Sequence, residues 1–163
     1  MNDEAYMREA IAEAQAASLR GEVPVGAILV ETASGRVISR AGNAPIAFCD
    51  PTAHAEILAL RDAAYAQNNY RLGGLTLYVT LEPCTMCAAA ISNARIERLV
   101  FGASDVKGGA VENGVKFFEQ ATCHHRPEVT GGVLADECGQ ILKDFFRARR
   151  KSSRKSLQKN PRV

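Results

Sequence analysis

Apolar residues recur at helical spacing at Tyr6, Ala10, Ile11, Ala14 and Ala17, which predicts an amphipathic helix over residues 3–20 closed by Gly21. The period then changes. VPVGAILVE (23–31) is a short, valine-rich apolar run of the kind that forms a buried strand. Ser34-Gly35 marks a turn into a partner strand, RVISRAG (36–42). Asp50-Pro51 predicts the next helix start, with Asp50 as N-cap and Pro51 in the first helical position, and the helix runs on through HAEILALRDAAYAQ (54–67). LTLYVTL (75–81) reads as a strand, CTMCAAAISNA (84–94) as a helix behind Pro83, and RLVFGA (98–103) as another strand. Residues 104–126 are Gly-rich and irregular. EVTGGV (128–133) reads as a last strand, and LADECGQILKDFFRARR (134–150) as an amphipathic helix with Leu134, Cys138, Ile141, Leu142 and Phe145 on one side. Helices alternating with apolar strands after an initial hairpin predict an α/β fold, a mixed five-stranded sheet covered by helices on both faces.

Length and composition narrow the class. A chain of 163 residues, 47% hydrophobic and 23% charged, is long enough to bury a core as one domain. No run approaches the ~20 apolar residues of a membrane span. The start, MNDEAYMREA, is acidic where an export signal is basic and then apolar, so a cytoplasmic protein is expected. Five cysteines, Cys49, Cys84, Cys87, Cys123 and Cys138, make a poor disulfide framework and suit metal binding or thiol chemistry better. The net charge of +2 hides an asymmetry. Eight of the 20 basic residues lie from Arg147 onward with no acid among them, leaving 12 basic against 18 acidic groups before them, a net −6. An acidic body with a basic end suggests a polyanionic partner, although a solubilising, frayed tail over residues 152–163 has the same composition.

Two clusters carry candidate chemistry. His54-Ala55-Glu56 and Pro83-Cys84-Thr85-Met86-Cys87 each fall at a predicted helix start. Cys84 and Cys87, three apart, share one helix face and can chelate one ion. Taken alone, this pair fits a thioredoxin-like redox site as well as a zinc site. Joined to His54 it becomes a three-ligand set of the soft type that zinc takes, with a fourth position left open as in catalytic sites. Glu56 then supplies a proton carrier. In mid-helix His54 and Glu56 would diverge by about 200°, so they serve one site only from the first turn. Cys123-His124-His125 is a weaker metal candidate, because adjacent residues chelate poorly from a regular element. Cys49 and Cys138 read as inert.

His-x-Glu followed by Pro-Cys-x-x-Cys is the signature of the zinc deaminases that act on nucleobases. The strings EVPVGAILV, GNAPI, DPTAHAEILAL, NYRL, LYVTLEPCTMCAAAI, FGASDVKGGA and LADECGQILKDFFRARR narrow this. Over about residues 4–151 the chain resembles the bacterial tRNA-specific adenosine deaminases, with residues 115–127 divergent and the tail unmatched. The resemblance implies a deaminase domain over residues 1–151 with a cytidine-deaminase-like three-layer α/β/α fold, a homodimer, one Zn2+ per subunit, and conversion of adenosine to inosine at the wobble position of a tRNA anticodon stem-loop. It places zinc on His54, Cys84 and Cys87, and the proton shuttle on Glu56. Asn43 is expected to hold the base or ribose, Asp105 to lie near the neighbouring ribose, and backbone groups near Ala55 and Cys84 to cradle the base. Phe146, by stacking, and Arg149 are expected to meet the anticodon loop. Three rivals remain. A deaminase of free guanine, cytosine or cytidine has no use for the FFRARR helix end. A zinc-stabilised RNA-binding module would need neither Glu56 nor an open ligand position. A redox protein would form a reversible Cys84–Cys87 disulfide.

Overall fold

The computed structural model describes residues 2–159 of the chain. Helix α1 spans Asp3–Leu19. Asn2 caps it, accepting the Ala5 N–H at 3.1 Å, and Asp3 and Glu4 place negative charge in its first turn. Strands β1 (Gly26–Glu31) and β2 (Val37–Gly42) form the expected hairpin. Then follow α2 (Pro45–Phe48), α3 (Ala55–Gln67), β3 (Leu75–Leu81), α4 (Thr85–Asn93), β4 (Arg98–Ala103), a single 3-10 turn at Phe117–Glu119, β5 (Glu128–Thr130) and α5 (Ala135–Lys159).

The five strands form one sheet in the order β2-β1-β3-β4-β5. The β1 strand runs antiparallel to β2 and β3, whereas β3, β4 and β5 are parallel. Strand alternation sorts the core into two layers. Ala27, Leu29, Leu77, Val79, Leu99 and Phe101 pack with α3 and α4, while Ile28, Val30, Tyr78 and Val100 pack with α1 and with Cys138 of α5. The registers Ile28↔Tyr78 and Tyr78↔Val100 keep each set on its own face. The first helix lies so close to β1 that a Cβ on Gly26 would collide with the Ala10 carbonyl. Two strand faces covered by two pairs of helices make the three-layer α/β/α arrangement expected from the sequence.

Several expectations need correction. The first strand begins at Gly26, not Val23: Pro24 has no N–H to offer a ladder, and the Val25 N–H turns back to the Val23 carbonyl at 2.8 Å. The third helix starts at Ala55, not after Asp50. Asp50 instead closes a local turn, its carboxylate accepting from the Thr52 N–H at 2.8 Å and the Thr52 hydroxyl at 2.7 Å. The one-turn α2 was not foreseen. The last strand is three residues long, ended at Gly131-Gly132, where Gly132 has φ +85°. The basic tail, expected to fray from residue 152, continues α5 as helix to Lys159, and every side chain from Phe146 to Leu157 is exposed. Straight-chain residues such as Arg, Lys, Leu and Gln extend a helix that is already nucleated by packing at Cys138 and Ile141. The remainder of the tail, residues 160–163, lies outside the described residues.

Candidate metal and active site

Strand directions place the site. Strands β2, β3 and β4 all run the same way, so their C-terminal ends share one edge of the sheet. Three segments leave that edge: Asn43 into α2, Glu82-Pro83-Cys84 into α4, and the loop 104–113 after β4. Ligand sites of open α/β sheets form where such ends converge.

His54 is the N-cap of α3 and Cys84 the N-cap of α4. The helix start at Ala55 therefore brings His54 and Glu56 to one site more directly than the predicted start at Asp50 would. His54 makes no capping hydrogen bond with its own side chain. The Ala55 N–H is instead taken by the Asn43 side-chain oxygen at 2.8 Å. Asn43 thus caps the helix in place of His54, and the imidazole is left to face the cysteines. Its Nδ1 lies 3.7 Å from the Cys84 Sγ and 3.5 Å from the Cys87 Sγ. All three donor atoms lie within 4.8 Å of one another, and no other three-residue group of this kind occurs among the described residues. A tetrahedral zinc ion with bonds of about 2.3 Å to sulfur and about 2.05 Å to nitrogen separates N and S donors by about 3.6 Å. The donor set and its spacing therefore fit that ion.

Among themselves the groups share protons unevenly. Hydrogen bonding from the Cys87 thiol, joined by His54 and the Cys87 backbone amide, draws Cys84 down to about 4 against the desolvation that raises it. The same bond to Cys84, together with burial, pushes Cys87 well up. His54 is raised, first by its hydrogen bond to Cys84. Glu56, in the first turn of α3, is only 4% exposed, and burial pushes its carboxyl up to about 7. It lies close enough to His54 and Cys87 for each to influence its ionisation. No side-chain oxygen or nitrogen that is wholly shut off from solvent is left without a partner among the described residues. The arrangement offers one soft metal position and one buried carboxyl that exchanges protons near neutrality.

The other candidates fall in three places. Asn43 joins the cluster through Ala55, and its amide nitrogen has no partner among the described residues. The Ala55 N–H, expected to cradle the base, is committed to Asn43. Asp105 folds its own loop, its Oδ1 accepting from the N–H groups of Lys107 at 3.1 Å and Gly108 at 3.0 Å. Phe146 and Arg149 lie on α5 and make no bond to the cluster. Phe146 is 41% exposed. The Arg149 guanidinium sits over the Phe145 ring at 5.0 Å and donates to the Gly21 carbonyl at 3.4 Å, on a groove of about 640 Å³ between α1 and α5. Cys123 and His125 form a clamp elsewhere: the Ser92 hydroxyl donates to the His125 carbonyl at 2.8 Å, and His125 Nε2 donates to the Ile96 carbonyl at 2.6 Å. Two buried acids escaped the sequence reading. Glu22 accepts the Ala47 N–H at 2.9 Å and supports α2, while Glu82 gathers the loop after β4. Neither has a local signal, because an acid beside an apolar strand ordinarily marks its exposed end.

A sheet covered on both faces, with a histidine–dithiol cluster and a buried glutamate at two converging helix starts, defines the class of the deaminase-fold proteins. Within that class the chain belongs to the MafB19-like deaminase family, whose model matches residues 1–150. It is 57% identical over 145 residues to a tRNA-specific adenosine deaminase of Agrobacterium fabrum, covering 89% of this chain and 94% of the relative. Against the protein of the same description from Bacillus subtilis the identity is 47% over 158 residues, 97% of this chain and 96% of the relative. A solved tRNA:A34 deaminase structure, from work on A-to-I editing at the wobble position of transfer RNA, matches with a TM-score of 0.82 at 56% identity, covering 85% of this chain and 99% of that one. A guanine deaminase from Nitrosomonas europaea shares the fold, at 24% identity and a TM-score of 0.72 over 87% of this chain and 83% of that one.

Proposed function

We propose that the protein is a zinc-dependent hydrolase that converts adenosine to inosine at the wobble position of a tRNA anticodon stem-loop. The observation that carries the reading is the convergence of His54, Cys84 and Cys87 at tetrahedral spacing beside the buried Glu56. Relatives described as tRNA-specific adenosine deaminases, similar over nearly the whole chain, support the substrate.

His54, Cys84 and Cys87 hold one zinc per subunit. Bound there, zinc supplies the Lewis acidity that activates water for attack at C6 of the purine. Glu56 takes one proton from the attacking water and delivers it to N1 of the ring, then takes the proton of the hydroxyl now on C6 and passes it to the amine, which leaves as ammonia. Burial gives Glu56 the proton affinity to work in both directions near neutral pH. Asn43 orients the nucleoside with the amide nitrogen it does not spend on Ala55, and Asp105 contacts the neighbouring ribose. Phe146 stacks on a base of the anticodon loop, and Arg149 with its basic neighbours neutralises phosphates. A single-stranded loop presents a base to the pocket at lower unstacking cost than a duplex does. The active form is a homodimer in the cytoplasm. No helix among the described residues is long and apolar enough to cross a membrane.

The test is nucleoside mass spectrometry of an anticodon stem-loop with adenosine at the wobble position, incubated with zinc-loaded protein. Inosine at that one position is the expected result. A zinc-loaded protein that leaves the adenosine intact would overturn the reading, and guanine and cytosine would then be the substrates to assay.

A further inference from the structure

The buried carboxylate of Glu82 has no role in the chemistry described above, yet it has more hydrogen-bond partners than any other side chain in the region. It is 2% exposed and stands two residues before Cys84. Its Oε1 accepts from the Asp105 N–H at 3.1 Å, the Ser104 hydroxyl at 3.3 Å and the Asn113 side-chain amide at 2.7 Å. Its Oε2 accepts from the N–H groups of Val111, Glu112 and Asn113, each at 3.1 Å. Six donors, four of them backbone, converge on two oxygens. No Lys or Arg forms an ion pair with it among the described residues, so these dipoles compensate the buried charge.

The loop is built around this group. A Cβ on Gly109 would collide with the Glu82 carboxylate. On either side the backbone repeats the connection: the Glu82 N–H donates to the Ala103 carbonyl at 2.8 Å, and the Ala110 N–H donates to the Pro83 carbonyl at 2.9 Å. The loop 104–113, which carries Asp105, is therefore tied to the segment that leads into Cys84. Loop and ligand segment leave the sheet at the same edge, from parallel strands β3 and β4.

We infer that Glu82 is a positioning residue that holds loop 104–113 in register with the metal-ligand turn, so that the loop meets the substrate strand beside the reacting base. The inference rests on the functional reading above for its substrate and on geometry alone for the tether. A carboxylate is required because both oxygens must accept. In Glu82→Gln one of them becomes an NH2 group facing N–H donors, while size and shape are retained.

Glu82→Gln is compared with wild type in three measurements. Zinc stoichiometry is expected to stay at one per subunit. Amide hydrogen exchange at Asp105, Val111, Glu112 and Asn113 should accelerate by about tenfold or more, because those donors lose their acceptor. The KM for the stem-loop should rise by about tenfold with kcat much less affected, since binding groups are displaced while metal and Glu56 remain. Glu82→Asp, which keeps the charge, should recover part of that KM. Equal exchange rates in the two proteins, or a loss of kcat that follows loss of zinc with KM unchanged, would overturn the inference. Should Glu82→Gln fail to melt cooperatively, Asn113→Ala, which removes a single side-chain donor, carries the same comparison with a smaller shift. Hydrogen exchange is independent of the substrate assignment. Fast exchange with no inosine from the wild type would leave the tether standing and remove the tRNA reading.

Discussion

At the scale of single residues, the site depends on a division of labour at two helix starts. An N-cap side chain ordinarily accepts an N–H of its own first turn. His54 and Cys84 occupy N-cap positions, and His54 is relieved of that duty because Asn43 caps α3 from another segment. The partial positive charge of the helix ends favours thiolate at the same place. Glu56, one residue into α3, is close to the cluster and is not part of the donor group. Replacing Glu56 with Ala is therefore expected to leave zinc stoichiometry unchanged and to lower deamination by about 10²–10⁴-fold, the usual worth of a general acid–base group. Cys87→Ala is expected to lose metal and activity together. Metal analysis alongside an inosine assay separates the two, and normal turnover by Glu56→Ala would remove its assigned role.

At the scale of elements, α5 behaves as two helices in series. Its first turns are anchored: Cys138 packs in the core beneath the sheet, and Ile141 and Leu142 are partly buried. From Phe146 to Leu157 every side chain is exposed, among them Arg147, Arg149, Arg150, Lys151, Arg154 and Lys155. A helix repeats its side-chain positions about every 5.4 Å, so this end offers a regular row of positive charge to a phosphate chain. Removing residues 152–163 takes away Arg154, Lys155, Lys159 and Arg162. The truncated protein is expected to bind the stem-loop more weakly, with the slope of log K against log salt reduced by about 1–3, at roughly 0.7 for each phosphate no longer neutralised. Zinc content should not change. Binding titrations between low and moderate salt check this, and an unaltered slope would assign the extension to solvent.

At the scale of the whole molecule, the N-terminus is tied to the sheet by one charged network. Arg98 of β4 forms a bidentate pair with Asp3, both N–O distances 2.7 Å, and the Tyr78 hydroxyl donates to the same carboxylate at 2.9 Å. The Arg98 hydrogen bonds hold the Asp3 carboxyl below its ordinary value of 3.8, although partial desolvation opposes them. A carboxyl depressed in the folded state binds fewer protons there than when unfolded, so its contribution is complete above 3.8 and is lost as pH falls through the lower folded value. Asp3→Asn is accordingly expected to melt below wild type at pH 7, and the gap in Tm should close as the solution is acidified below pH 3.8. Thermal melts of both proteins across that range test it, and a gap that persists unchanged in acid would place the stabilisation elsewhere.

The sequence by itself determined much of this protein, and the reason is local. Hydrophobic period and turn residues marked all five strands and helices α1, α3, α4 and α5 within a few residues, except the far end of α5, because alternation and helical spacing are read from neighbours in the chain. The type and spacing of His54, Glu56, Cys84 and Cys87 marked the candidate metal cluster and the acid beside it for the same reason. Tertiary structure decided what neighbours cannot report. Asp50 looked like the cap of α3, yet the cap is supplied by Asn43 from the loop after β2. Arg149 reads in the sequence as one cation of a basic run, and only the fold shows that it lies on Phe145 and reaches Gly21 beyond the end of α1. Glu82 carries no signal in the sequence, yet it is buried beneath a loop that follows more than twenty residues later. Whether a polar group is spent on the fold or kept for chemistry depends on which distant donor the folded chain brings to it, and that is decided by packing between layers rather than by residue pattern.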